Sequence, residues 1–142
     1  MDPMGTTTGP TAIDPISLLQ AEAYAVEVYQ SLIRRFPEES WLGQCLDGHH
    51  ERFLILEQWL HRQGVKKVLA DDAGPFSHVP PDELAGSLDV ALARLTQYED
   101  ALLEDYRVLQ VVDQMSGSLR EECLIGQGQT VQVLSKRRRH RL

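Results

Sequence analysis

Cysteine is scarce in this chain of 142 residues. Cys45 and Cys123 are the only two, without a CxxC pair or disulfide-dense spacing. A disulfide scaffold is excluded, and the usage suits a reducing cytoplasm. The first ten residues lack the basic and apolar regions of a signal peptide. No apolar run approaches the ~20 residues that span a bilayer. No alternating Val/Ile/Thr run is bounded by turn residues, so strand signals are missing and an all-α fold is expected. A glycine-rich phosphate loop, a P-loop and a nucleophile elbow are all absent.

What is present is ordinary for a single globular domain: 42% hydrophobic and 25% charged residues. A chain of this length can bury about two-thirds of its unfolded surface. The formal charge of −7 is unevenly spread. The run Lys136-Arg-Arg-Arg-His-Arg141 holds five of the 14 Lys and Arg residues and no acid, so residues 1–135 carry nine bases against 21 acids, a net of −12. An acidic body argues against specific nucleic-acid binding by the fold. The basic tail, 136–142, suits weak contacts with an acidic neighbour or a solvated helix end.

Four helical stretches follow an N-terminal arm, residues 1–13, expected to be flexible. The first opens at Asp14-Pro15 and stops at Phe36 before Pro37. The second spans roughly Glu38 to Gln63 and ends at Gly64. A longer connection, 65–79, leads to a third from about Pro80 to Val112, with a break signal at Gly86-Ser87. A turn from Gln114 to Gly117 precedes a capping-box pattern, Ser118 to Glu121, and the last helix continues into the basic tail. Two short connections and one long crossover fit a four-helix bundle occupying residues 14–135.

The helices contain an internal repeat. Glu22, Glu27, Tyr29 and Leu32 recur as Glu99, Glu104, Tyr106 and Leu109, each pair 77 residues apart (99 − 22, 106 − 29). Leu18, Glu22, Ala25, Tyr29 and Leu32 form one helical stripe, and Leu95, Glu99, Leu102, Tyr106 and Leu109 form its counterpart. Each glutamate sits inside an apolar seam, whereas Glu27 and Glu104 fall outside it. In the second helix Leu42, Leu46, His49, Phe53, Leu56 and Leu60 place His49 on the seam, with His50 and Asp47 beside it. Burying an unpaired carboxylate costs many kcal/mol. Three compensations are open: metal coordination by carboxylate and imidazole, hydrogen bonds from Tyr29, Tyr106 and a histidinium, or protonation.

A Glu in the first and third helices and Glu-x-x-His in the second and fourth define the ferritin-like di-metal bundle. The stretch Leu18-Leu-Gln-Ala-Glu22-Ala-Tyr-Ala-Val-Glu27-Val-Tyr29 resembles the first helix of small bacterial members of that superfamily, some of them stress-associated. The likeness runs from about Ile16 to Leu134 and implies an antiparallel four-helix bundle of two hairpins. Glu22 and Glu99 match the lone glutamates and His49 the helix-two histidine. Leu46 stands where its carboxylate belongs, and Asp47 with His50 gives an offset Asp-x-x-His. In the fourth helix the repeat places Gly126 and Gln127 opposite His49 and His50, and residues 123–133 contain no His, Asp or Glu. Six ligands are needed for a dinuclear centre, and at most four are available. No ferroxidase or oxygenase chemistry is therefore expected.

Two functional expectations result. One is a binding or structural module without catalysis, partnered by a second copy or another protein, whose metal site is vestigial and in which Gly126, Gln127 and Thr130 fill the former ligand space. The alternative is a metalloprotein holding one iron, manganese or zinc ion through Glu22, Glu99, His49 or His50, and Asp47. Cys45 and Cys123 lie at nearly equivalent places and are expected as buried apolar thiols. His61 and His78 are expected at the surface, and Trp41 and Trp59 in packing roles.

Overall fold

The computed structural model describes residues 15–64, 86–109, 111 and 114–141. Among these it is all-helical, with four helices and no strand: α1 (Pro15–Arg35), α2 (Ser40–Arg62), α3 (Leu88–Val108) and α4 (Gln114–Arg141). The expected arm at 1–13, the crossover at 65–79, the third helix's opening at Pro80 and His78 lie outside the described residues.

Local chemistry sets most of the ends. Pro15 supplies a fixed φ in the first turn of α1, and Arg34 and Arg35 in its last turn favour the negative end of the helix dipole. Pro37 follows at once. The chain turns through Glu39, whose N–H donates to Phe36 O at 3.0 Å. α2 ends where Gly64 takes φ +83°, a left-handed conformation that side chains disfavour. Ser87, expected as a break, is instead the N-cap of α3: its Oγ accepts from Val90 N at 3.3 Å. The turn expected at 114–117 is helical, so Ser118 and Glu121 lie inside α4 and form no cap there. Ser116, in that first turn, is buried.

The most extensive packing joins α1 to α2, α3 to α4 and α2 to α4; α1 and α3 come close at few points. Two apolar clusters form the core. One combines the start of α1 (Leu18, Leu19), the end of α2 (Leu56, Trp59, Leu60), the end of α3 (Leu102, Tyr106) and the start of α4 (Cys123). The other combines the end of α1 (Tyr29, Leu32), the start of α2 (Trp41, Leu42, Cys45), the start of α3 (Ala91, Leu92, Leu95) and Leu134 near the end of α4. Along α2, α3 and α4 a polar layer separates them: His49 and Arg52, Glu99, then Gln127 and Thr130, all buried.

Candidate functional site

That layer is a closed ionic network. Glu22 and Glu99 are 0% exposed, as is His49 between them. The imidazole bridges the two acids: Nδ1 lies 2.6 Å from Glu22 Oε1 and Nε2 lies 2.6 Å from Glu99 Oε2. Each of these short contacts needs one proton between nitrogen and oxygen, and because both carboxyls are held below their ordinary value the protons belong to the ring, which makes His49 an imidazolium. Burial opposes its charge, but Glu99 and Glu22 outweigh burial and raise its pKa to about 9. The Tyr29 ring stacks against it with centroids 5.2 Å apart.

The repeat in the sequence becomes a crossed pairing in space. Tyr29 on α1 donates to Glu99 Oε2 on α3 at 2.5 Å, and Tyr106 on α3 donates to Glu22 Oε2 on α1. These bonds span α1 and α3, whose backbones come close at few points, and add polar links to the apolar contacts the two helices share in both clusters. Each carboxylate then takes a third donor. Glu99 Oε1 accepts from Gln127 Nε2 at 2.6 Å, and Glu22 Oε2 accepts from Arg52 Nε at 3.0 Å.

Burial alone would push both acids toward protonation. Arg52 and His49 more than offset it at Glu22; His49, Tyr29 and Gln127 do so at Glu99, and both carboxyls fall below the ordinary value of 4.5. Burial and the adjacent carboxylates hold both tyrosines well above 10, as donors. Of the three compensations open to the buried acids, hydrogen bonding from the tyrosines and a histidinium is what the structure contains, with Arg52 added.

Arg52 is the residue that sequence reasoning missed. It is 2% exposed and among the largest fully buried side chains apart from the leucines and tyrosines. Its Nη2 reaches Thr130 Oγ1 at 3.2 Å and approaches His49 Nδ1 at the same distance. Two cations meet there only because Glu22 lies against both. Room for the guanidinium comes from two glycines. A Cβ on Gly126 would stand 3.1 Å from Arg52 Nη1; one on Gly48 would stand 3.1 Å from both Nη1 and Thr130 Oγ1. The signal was in the spacing: Leu42, Cys45, His49, Arg52, Leu56 and Trp59 alternate by three and four and are all buried. Phe53, which the apolar template selected instead, is only partly buried.

Of the expected ligands, the structure brings Glu22, His49 and Glu99 together and leaves Asp47 and His50 exposed on α2. The donor set fits neither a dinuclear nor a mononuclear centre. Both ring nitrogens face carboxylates through protons, a guanidinium occupies the space beside Glu22, and α4 contributes an amide donor where a ligand would stand. Among the described residues, no group of three or more His, Cys, Asp or Glu side chains is arranged to hold a metal ion.

Cys45 and Cys123 are free and buried in different apolar clusters, so they do not pair. Burial is the main cause lifting each thiol to about 12, which makes both unreactive. Trp41 and Trp59 are buried, one in each cluster, and His61 is exposed.

A separate surface cleft of about 590 Å³ opens between the start of α2 and the end of α4, lined by Glu38, Trp41, Gln44, Val133, Lys136 and others. Glu39 in its wall accepts from Trp41 Nε1 at 2.6 Å and from Arg137 Nε at 2.8 Å. Among the described residues, no helix is long and apolar enough to cross a membrane. Comparisons with protein-family models, curated proteins and solved structures return no match.

Proposed function

We propose that this protein is a ferritin-like bundle serving as a non-catalytic binding or structural module, with a protein cation in place of a metal centre. One observation carries the proposal: Arg52 donates to Glu22 inside the core while His49 closes both carboxylates. No member of this network is more than 4% exposed, so no substrate reaches its acids or its imidazole.

The composition of the two clusters supports an up-down-down-up course. The start of α1 shares a cluster with the ends of α2 and α3 and the start of α4. Together with neighbours α1–α2, α2–α4 and α4–α3, that is the arrangement of two antiparallel hairpins joined by a crossover. The free thiols suit a reducing compartment, in line with a cytoplasmic protein. Binding is assigned to the exterior. The cleft beside Trp41 lies at the end where α4 carries Lys136, Arg137, Arg138 and Arg139, a charge distribution that fits an acidic protein partner.

The test is elemental analysis and thermal melting of protein purified without chelators, with sedimentation to read its assembly state. The expected protein is free of iron, manganese and zinc and melts at the same temperature with or without them. Stoichiometric metal that depends on Glu22 and Glu99 would refute the proposal.

A further inference from the structure

The outer faces of α3 and α4 order their charges differently. On α3, Arg94, Asp100, Glu104 and Arg107 are exposed and mixed in sign, and Arg107 pairs with Glu104 at 3.2 Å on its own helix. On α4, Glu122, Ile125, Gln129, Gln132, Lys136 and Arg139 alternate by three and four and are all exposed. They lie opposite the buried stripe of Cys123, Gln127, Thr130 and Leu134. Glu121 and Glu122 stand at one end and the bases begin at Lys136, while residues 123–135 between them carry no charged side chain. Within that neutral stretch Ile125 is 56% exposed, more than any other large hydrophobic residue among those described. We propose that this face seats a second copy of the chain, the two α4 helices running antiparallel about a two-fold axis at Gln129. This rests on the reading that the bundle binds through its exterior, with Glu122 of the second copy as the acid that meets the basic end of α4.

A two-fold interface uses one patch on both copies, so the patch has to complement itself. This one does. Glu122 and Lys136 are equidistant from Gln129 (129 − 122 = 136 − 129 = 7), about two helical turns each way. Antiparallel pairing therefore sets Glu122 of each copy against Lys136 of the other, whereas parallel pairing sets acid on acid and base on base. In the neutral centre Gln129 meets its own equivalent, and Ile125 is covered by Gln132 and the partly buried Val133 of the second copy. Alternation by three and four keeps two helices in contact along their length at a shallow crossing angle. Gly128 flanks the stripe, and a Cβ there would meet nothing of its own chain within 4 Å, so a second backbone can come close on that side. Lys136 also borders the cleft beside Trp41, and Glu122 of the second copy arrives at that edge. From Glu122 to Arg139 the contact runs about 25 Å. One polar helix pair of that length is at the small end of specific interfaces, so the dimer is reversible and not obligate.

The test is sedimentation equilibrium of the full chain as wild type, E122K, K136E and E122K/K136E, in about 50 and 500 mM sodium chloride. The wild type is expected to be a monomer in equilibrium with a dimer, and salt to shift it toward monomer. Each single variant sets like charges opposite one another at two symmetric places and should weaken dimerisation about tenfold or more. The double variant, with acid and base exchanged, should regain it, and an equimolar mixture of the two singles should form mixed dimers. A general effect of net charge would move the singles in opposite directions, because E122K makes the acidic chain less negative and K136E makes it more so. Both positions are exposed, so the helical circular dichroism and melting of dilute protein should match wild type. A wild type that stays monomeric at millimolar concentration, one that grows beyond dimers, or a dimer that the double exchange fails to restore overturns the inference while leaving a metal-free bundle with another protein partner intact. A wild type that holds stoichiometric metal overturns the underlying proposal instead.

Discussion

Arg52 decides how the buried acids of this bundle are to be understood. Removing one partner of a buried ion pair strands the other charge, so Arg52→Met should cost about 3–5 kcal/mol in urea unfolding. Tyr29→Phe and Tyr106→Phe each take one hydroxyl donor from a buried carboxylate and should cost about 1–3 kcal/mol. Near-additive losses are not expected for Tyr106 with Arg52, because both bond Glu22 Oε2. A double variant losing far less than the two singles together would show that coupling. At this scale the sequence revealed the acids and His49, since a polar residue on an apolar stripe stands out. It concealed Arg52 because Phe53, one position on, satisfies the same template with an apolar side chain. Asp47 and His50 looked like ligands by spacing alone, and a rotation of about 100° per residue carries them to solvent.

Helix identity and order were legible; helix ends were legible where capping chemistry is local. Gly64 and Pro37 mark ends that the structure keeps. Ser87 was readable only as an interruption, and the hydrogen bond to Val90 N makes it the start of α3. Ser87→Ala should therefore destabilise the protein by about 1 kcal/mol in chemical denaturation, with Ser87→Gly costing only a few tenths. The first turn of α4 was not legible, because Gly117 and the capping pattern that starts at Ser118 read as a turn before the helix, whereas the helix already begins at Gln114. Gly126 belongs to the same class. Its lack of a side chain reads as a weak helix position, yet it leaves space for a guanidinium from α2. Gly126→Val should displace Arg52 and lower stability, seen as a reduced urea midpoint.

For the whole molecule, the 77-residue repeat describes the course of the chain better than it describes chemistry. It gives the crossed tyrosine–glutamate pairs, but symmetry stops at α2 and α4, where His49 and Arg52 face Gln127 and Thr130. The pH profile of stability should reflect that balanced core. His49 gains a proton affinity on folding, so its contribution is complete below about pH 6.5 and fades as pH rises through about 9, on the order of 3 kcal/mol. Glu22 and Glu99 have lowered pKa values, so their contribution is present above about 4.5 and is lost as pH falls through their folded values. Urea unfolding free energies should thus be flat from about pH 5 to 6 and fall on both sides. The most direct test is the nitrogen-15 spectrum of the His49 ring at neutral pH, recorded with and without zinc. The account predicts two protonated ring nitrogens, indifferent to zinc and titrating near pH 9. A neutral ring with one bare nitrogen, or a nitrogen shifted by bound zinc, would contradict it.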